Sequence, residues 1–162
     1  MVKIIGIDPG LAATGVGIIT GMSTRVKAFS YGAIYTTSKT PSAQRLNLIY
    51  SKLVQVLQAE KPDLMVIEDA FSLEKYPKSG INLGKVMGVV LLAGCQAGLP
   101  VMEIQVREAK RIITGNGKAT KAQLEAAVRN VLNQSKAIRP YHASDALGLA
   151  LVGLYRFKEN KK

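Results

Sequence analysis

The sequence predicts an α/β domain, a mixed five-stranded sheet flanked by helices, from three observations. Short apolar runs of strand length, such as VKIIGI and LMVI, are interleaved with stretches of helical periodicity. Proline, glycine and capping residues stand between them at the places where such elements begin and end. The 162 residues are 48% hydrophobic, enough for one buried core and too apolar for wholesale disorder.

The elements follow in order. Val2–Asp8 is a buried strand, Gly15–Thr20 a second, and Val26–Thr36 alternates well enough for a third, so the chain opens as an antiparallel meander. Thr40 and Pro41 offer an N-cap and a first helical position. Leu46, Ile49, Leu53, Val56 and Leu57 then recur at helical spacing until Pro62 stops the helix. Asp63–Asp69 is a fourth, buried strand that ends in acids, and Phe71–Gly80 is a polar loop. Ile81–Ala97 is a helix apolar nearly all round, with Gly84, Gly88 and Gly94 permitting close approach, so two buried sides are expected of it. Val101–Val106 is the fifth strand. The stretch REAKRIIT is helical and runs into Gly115-Asn-Gly117, and Thr120 with Gln123 forms a capping box for a helix to about Gln134. His142–Phe157 is a last amphipathic helix, and the order reads βββ-α-β-α-β-α-α. Residues 1–157 make one domain without linker or repeat, and 158–162 a basic tail.

Charge narrows the function. There are 22 Lys and Arg against 11 Asp and Glu, a net charge of +11, and a compact protein that basic usually meets a polyanion. No run of about 18 residues is apolar throughout, so no membrane span is expected. The start, MVKIIGID, lacks the features of a secretory leader. The single cysteine, Cys95, lies among apolar residues and is expected to be a reduced, buried thiol in the cytoplasm.

Against that basic background the acids stand out. Asp8 is the only acid in residues 1–59, and Asp145 the only one between Glu125 and Glu159. Asp8 and Glu68 both sit at the carboxyl ends of predicted strands, so neighbouring strands would bring them to one sheet edge, where open α/β sheets place their sites. His142 and Asp145, three apart, share a helix face. An oxygen-rich set of this kind suits Mg²⁺ or Mn²⁺, and two such ions can activate a water and stabilise the leaving oxygen of a phosphodiester. Structural alternatives stay open. Asp8 can cap the Pro9-Gly10 turn or pair with a buried base, and His142 can be an N-cap or a core imidazole.

In sequence order, the segments Gly6-Ile-Asp8-Pro-Gly10 with Thr14-Gly-Val-Gly17, Val66-Ile-Glu68 followed by Phe71, Gly115-Asn-Gly117, and His142-Ala-Ser-Asp145-Ala-Leu span almost the whole chain. Together they resemble the RuvC-type Holliday-junction resolvases, crossover-junction endonucleases with the ribonuclease-H-like fold. Actin-like ATPases open with a similar strand but need two such domains, and the chain holds one.

The resemblance implies a homodimer that nicks two strands of a four-way DNA junction symmetrically, beside a branch-migration helicase complex. It implies two Mg²⁺ per site, replaceable by Mn²⁺, on Asp8, Glu68, His142 and Asp145; relatives vary between Asp and His at the His142 position. It matches Lys110 and Lys121 to lysines near the scissile phosphate, Lys121 with a catalytic role. It also matches Phe71 to an aromatic that stacks on an unpaired base, and it makes the helix Ile81–Ala97 a candidate twofold contact.

Asp69 departs from the pattern, a second acid where some relatives carry a neutral residue. Strand alternation turns it away from the Glu68 side. Arg107, Lys110, Arg111, Lys118 and Lys121 give five positive charges against Glu108 around the GNG turn, which reads either as phosphate contacts or as a solvated helix face. Phe71 has a core-plug alternative, and Lys75 and Lys78 in its loop are further candidates for backbone contacts. Two other functions fit the same residues less closely: a non-cutting module that binds branched nucleic acid, and a ribonuclease of the same fold acting on RNA–DNA hybrids.

Overall fold

The computed structural model describes residues 1–69 and 77–157, except the side chains of Pro77 and Lys78. Five strands form one sheet: β1 (Val2–Asp8), β2 (Ala13–Met22), β3 (Arg25–Tyr35), β4 (Leu64–Asp69) and β5 (Val101–Gln105), in the order β3-β2-β1-β4-β5. The opening meander is antiparallel, and β4 and β5 add in parallel. Five helices complete the fold: α1 (Ser42–Glu60), α2 (Pro77–Gln96), α3 (Val106–Thr114), α4 (Lys121–Val131) and α5 (Tyr141–Arg156). Three helices therefore follow β5, one more than the expected order, because REAKRIIT is a helix in its own right.

Strand alternation sorts the apolar side chains into two cores. Ile4 and Val66 point to the face covered by α3, α4 and α5, while Ile5, Ile7, Met65 and Ile67 point to the face covered by α1 and α2. Asp8 and Glu68 continue the alternation of Ile4 and Val66, so both carboxylates belong to the α5 face. Asp69 continues that of Met65 and Ile67 and faces the other way, as alternation requires.

One helix seat fixes the site. Helix α5 lies almost on the backbone of β1 and β2. A Cβ on Gly6 would stand 2.7 Å from the Ala150 nitrogen, and one on Gly15 would collide with the His142 carbonyl. Gly6 pairs with Gly17 and Asp8 with Gly15 across the two strands, so the bare stretch of sheet ends beside Asp8.

Several local expectations are corrected. Thr40 does not cap α1: Pro41 takes the N-cap place without a side-chain bond, its ψ of 144° being extended, so the helix starts at Ser42. Residues 77–80 are helical rather than part of the polar loop. Helix α4 stops at Val131, and Asn133 turns left-handed with φ 52°. Cys95 is exposed, because it shares an outward stripe of α2 with Ile81, Gly84, Gly88 and Leu92. That helix buries one side, through Val86, Met87, Val90 and Ala93, and in the single chain its other side is open. A Cβ on Gly84 or Gly88 would meet nothing within 4 Å, whereas Gly94 packs on Met65 and Val101. Among the described residues no helix is long and apolar enough to cross a membrane.

Candidate active site

Asp8 ends β1, and Glu68 lies beside it on parallel β4, one residue past the Ile7–Ile67 pair. His142 and Asp145 come from the first turns of α5, lowered onto them by the glycine seat. The His142 ring nitrogen Nδ1 stands 2.6 Å from the Asp8 carboxylate. Lys121, from the first turn of α4, places its ammonium 3.7 Å from Asp145. The capping box between Thr120 and Gln123 fixes that turn. With Lys110 from α3 these side chains line one cleft of about 140 Å³.

Behind Asp8, Thr14 is fully buried, and its hydroxyl donates to the Gly10 carbonyl at 2.8 Å. The turn after β1 is thus tied by Thr14 rather than by Asp8, and Asp8 is left to face His142. His142 is the second residue of α5, which has Pro140 at its N-cap, so it is no cap. Nor is it a core imidazole, since its side chain is 39% exposed.

The electrostatics are those of buried, crowded acids that the nearby Lys121 offsets only in part. Burial pushes Glu68 up to about 8, and the neighbouring Asp8 and Asp145 add to it while Lys121 opposes. Burial, then Asp8, raises Asp145 to about 6, against Lys121, His142 and Lys110. The Asp8 hydrogen bond raises His142. Asp145 Oδ1 is buried and has no hydrogen-bond partner.

A divalent cation suits this donor set. It would satisfy the orphaned Asp145 oxygen and offset the crowding of carboxylates that raises Glu68. Among the described residues, no three Asp, Glu, His or Cys side chains stand in a ready ligand arrangement. His142 and Lys121 each engage one oxygen of their acid partner, at 2.6 Å on Asp8 and 3.7 Å on Asp145.

A second cleft adjoins the first and shares Val106 and Lys110 with it. Its other lining residues are Asp69, Gln105, Arg107, Gly117 and Lys118. The Asn116 side chain accepts the Lys118 N–H at 2.9 Å and shapes the GNG turn around it. Of the predicted basic set, Arg107, Lys110, Lys118 and Lys121 thus border the two clefts, and Arg111 lines neither. Phe71 and Lys75 lie outside the described residues, as does the Lys78 side chain.

The match to a family model decides the family: residues 4–153 fit that of the crossover junction endodeoxyribonuclease RuvC. The chain belongs to the RuvC family. It is 34% identical over 159 residues to the RuvC of Halothermothrix orenii, covering 98% of this chain and 96% of that one. It is 38% identical over 154 residues to the RuvC of Carboxydothermus hydrogenoformans, covering 95% and 96%. Its structure superposes on T. thermophilus RuvC in complex with a Holliday junction substrate, with a TM-score of 0.88 and 27% identity over 96% of this chain and 94% of that one. The fold is thus the ribonuclease-H-like one that the motifs implied.

One residue near this RuvC-family site escaped the sequence reading. Glu125, on α4, is buried, and its Oε1 accepts the Ile138 N–H at 2.8 Å and the Arg129 Nε at 3.1 Å. The only signal for it was an acid among apolar helix residues in a chain that elsewhere avoids acids.

Proposed function

We propose that this chain is a crossover junction endodeoxyribonuclease that resolves four-way DNA junctions by nicking two strands. The observation that carries the reading is the meeting of Asp8, Glu68, His142 and Asp145 with Lys110 and Lys121 in one cleft of a RuvC-family chain. A module that only bound DNA would gain nothing from carboxylates facing phosphates.

The four acidic and imidazole side chains would hold two Mg²⁺, or Mn²⁺ in its place. Ions bound there would supply an activated water and charge stabilisation for the leaving oxygen. Lys110 and Lys121 hold the scissile phosphate at the mouth of the cleft. Arg107 and Lys118 follow the backbone into the adjoining cleft, giving affinity without reading sequence. His142 orients the Asp8 carboxylate through its ring nitrogen. Phe71 stacks on a base at the junction centre, and Lys75, Lys78 and Arg111 add backbone contacts.

Two like cuts call for two sites. The open stripe of α2, with exposed Ile81 and Leu92 and bare Gly84 and Gly88, supports a twofold contact with a second copy. A branch-migration helicase complex would deliver the junction.

The test is a nicking assay on a synthetic four-way junction, with linear duplex and RNA–DNA hybrid as controls. Paired nicks on the junction that vanish with EDTA are expected. Cutting only of the hybrid supports the ribonuclease reading, and binding without cutting supports the non-cutting module. Light scattering should give twice the chain mass.

A further inference from the structure

Helices α4 and α5 reach the candidate site by different routes. Helix α5 is seated on the sheet by the close approach over Gly6 and Gly15, so His142 and Asp145 are placed by the strands themselves. Helix α4 is an outer helix, packed chiefly on α5 and α3, and it carries Lys121 in its first turn. Something has to fix α4 along α5 if Lys121 is to face Asp145 rather than swing with solvent. Their direct contact, 3.7 Å with the Lys121 side chain 59% exposed, is too weak to do so.

Glu125 stands one turn after Lys121 on the same side of α4. Its carboxylate is 5% exposed. One oxygen, Oε1, takes the backbone N–H of Ile138 at 2.8 Å and the Arg129 side chain at 3.1 Å, with Arg139 at 3.9 Å. Ile138 is itself buried in the core and stands three residues before α5 begins. The bond therefore joins the helix that carries Lys121 to the segment that leads into the helix carrying His142 and Asp145. A backbone donor buried as Ile138 is must be satisfied, so the acceptor sets a fixed distance between the two helices.

We infer that Glu125 is a positioning residue, a latch on Ile138 that holds Lys121 in register with Asp145. The inference rests on the junction-nicking reading of the site. Reach to the Ile138 N–H matters more than charge. Glu125→Gln keeps an acceptor oxygen at the same length, whereas Glu125→Asp keeps the charge and withdraws it by one methylene. The rate should thus follow parent, then Gln, then Asp and Ala. Displacing a catalytic group by about 1 Å costs up to about 100-fold, so a loss of about 10- to 100-fold in nicking rate is expected for Ala.

The experiment measures junction nicking rate, junction affinity and Tm for Glu125→Gln, Glu125→Asp and Glu125→Ala, each with Lys121 and in a Lys121→Ala background. If Glu125 acts through Lys121, its substitution slows the parent but changes the Lys121→Ala protein by less than about 2-fold, since coupled residues are not additive. Equal losses in both backgrounds would overturn the inference and leave Glu125 a general fold stabiliser. So would a Gln variant as slow as Ala while Asp stays near parental, which would make charge the operative property. Should Glu125→Ala fail to fold, the Gln and Asp pair still decides the matter. A parent that nicks no junction at all defeats the functional reading instead, which separates the two failures.

Discussion

The backbone carbonyl of His142 lies directly over Gly15, the residue that pairs with Asp8 across β1 and β2. That one close approach lowers the first turn of α5 until the His142 ring meets the Asp8 carboxylate at 2.6 Å. Any side chain at position 15 has to lift the helix or distort the strand.

Gly15→Ala should therefore do more harm to the site than to the core. Overpacking of this kind costs about 1–3 kcal/mol, or a Tm lower by about 3–10 °C. Because the lifted turn carries two of the four candidate ligands, nicking should fall by about 10-fold or more while junction affinity stays near parental. Parallel melting curves and nicking assays test this. A variant that melts lower yet nicks at the parental rate would show that α5 tolerates the shift.

The three raised groups make the metal-free protein less stable as pH rises. Glu68, at about 8 in the fold against 4.5 as the reference value, binds a proton more tightly when folded between those values. Its penalty accordingly grows from pH 4.5 and is complete above 8. Asp145, raised to about 6, acts in the same direction at lower pH. His142 stabilises the fold while charged, and that share is lost as pH climbs through its raised value. In EDTA, Tm should fall from pH 6 to pH 9, and Glu68→Gln should remove much of the fall. A gain of at least about 1 kcal/mol, or about 2–4 °C, is expected for that variant at pH 8.5, with little change near pH 5. Excess Mg²⁺ should raise the parental Tm most at the alkaline end. A Tm that is flat with pH in EDTA would contradict the crowded-carboxylate picture.

What was legible in the sequence was the period of its apolar residues and the rarity of its acids. Ile4, Ile5 and Ile7 announce a strand buried on both faces, and Asp8 at its end is conspicuous because no other acid precedes Glu60. The same logic picked out Glu68 and Asp145. Cys95 was misjudged because an apolar helix does not say which of its sides is covered. Glu125 was missed for the opposite reason: its partner is the backbone N–H of Ile138, thirteen residues away, and a backbone donor leaves no mark on the sequence. The bare glycines on β1 and β2 were visible as motif letters, but their purpose needed the helix that lies on them.

Asp69 lines the adjoining cleft with Arg107, Lys110 and Lys118, a single negative charge where the DNA backbone is proposed to run. It stands on the opposite side of β4 from Glu68, so its removal should leave the carboxylate cleft intact. Asp69→Asn should tighten junction binding by about 2- to 5-fold at low salt, with the gain fading above about 0.3 M as screening shortens the field. Nicking at saturating junction should change little. Affinity measured across a salt series checks it, and weaker binding at every salt concentration would mean that Asp69 orders the basic residues instead of opposing the phosphates.

Asp8→Asn separates binding from chemistry. The side chain keeps its size and one acceptor oxygen, but it loses the charge that attracts divalent ions and the acceptor strength that orients His142. Removing a ligand should cost at least as much as disturbing one that supports it, so nicking should drop by at least about 100-fold. Junction affinity should survive, because Arg107, Lys110, Lys118 and Lys121 supply it and the net charge only rises by one. In EDTA binding should tighten slightly, since one acid fewer faces the phosphates. Lys121→Ala should differ in kind: weaker, less salt-dependent binding together with slower nicking, because the lysine meets the phosphate itself. The two variants have to be compared at matched ionic strength, with folding checked by melting curves. If Asp8→Asn nicks at the parental rate, or stays folded and stops binding, Asp8 is no metal ligand, and its bond to His142 is only a structural tie between β1 and α5.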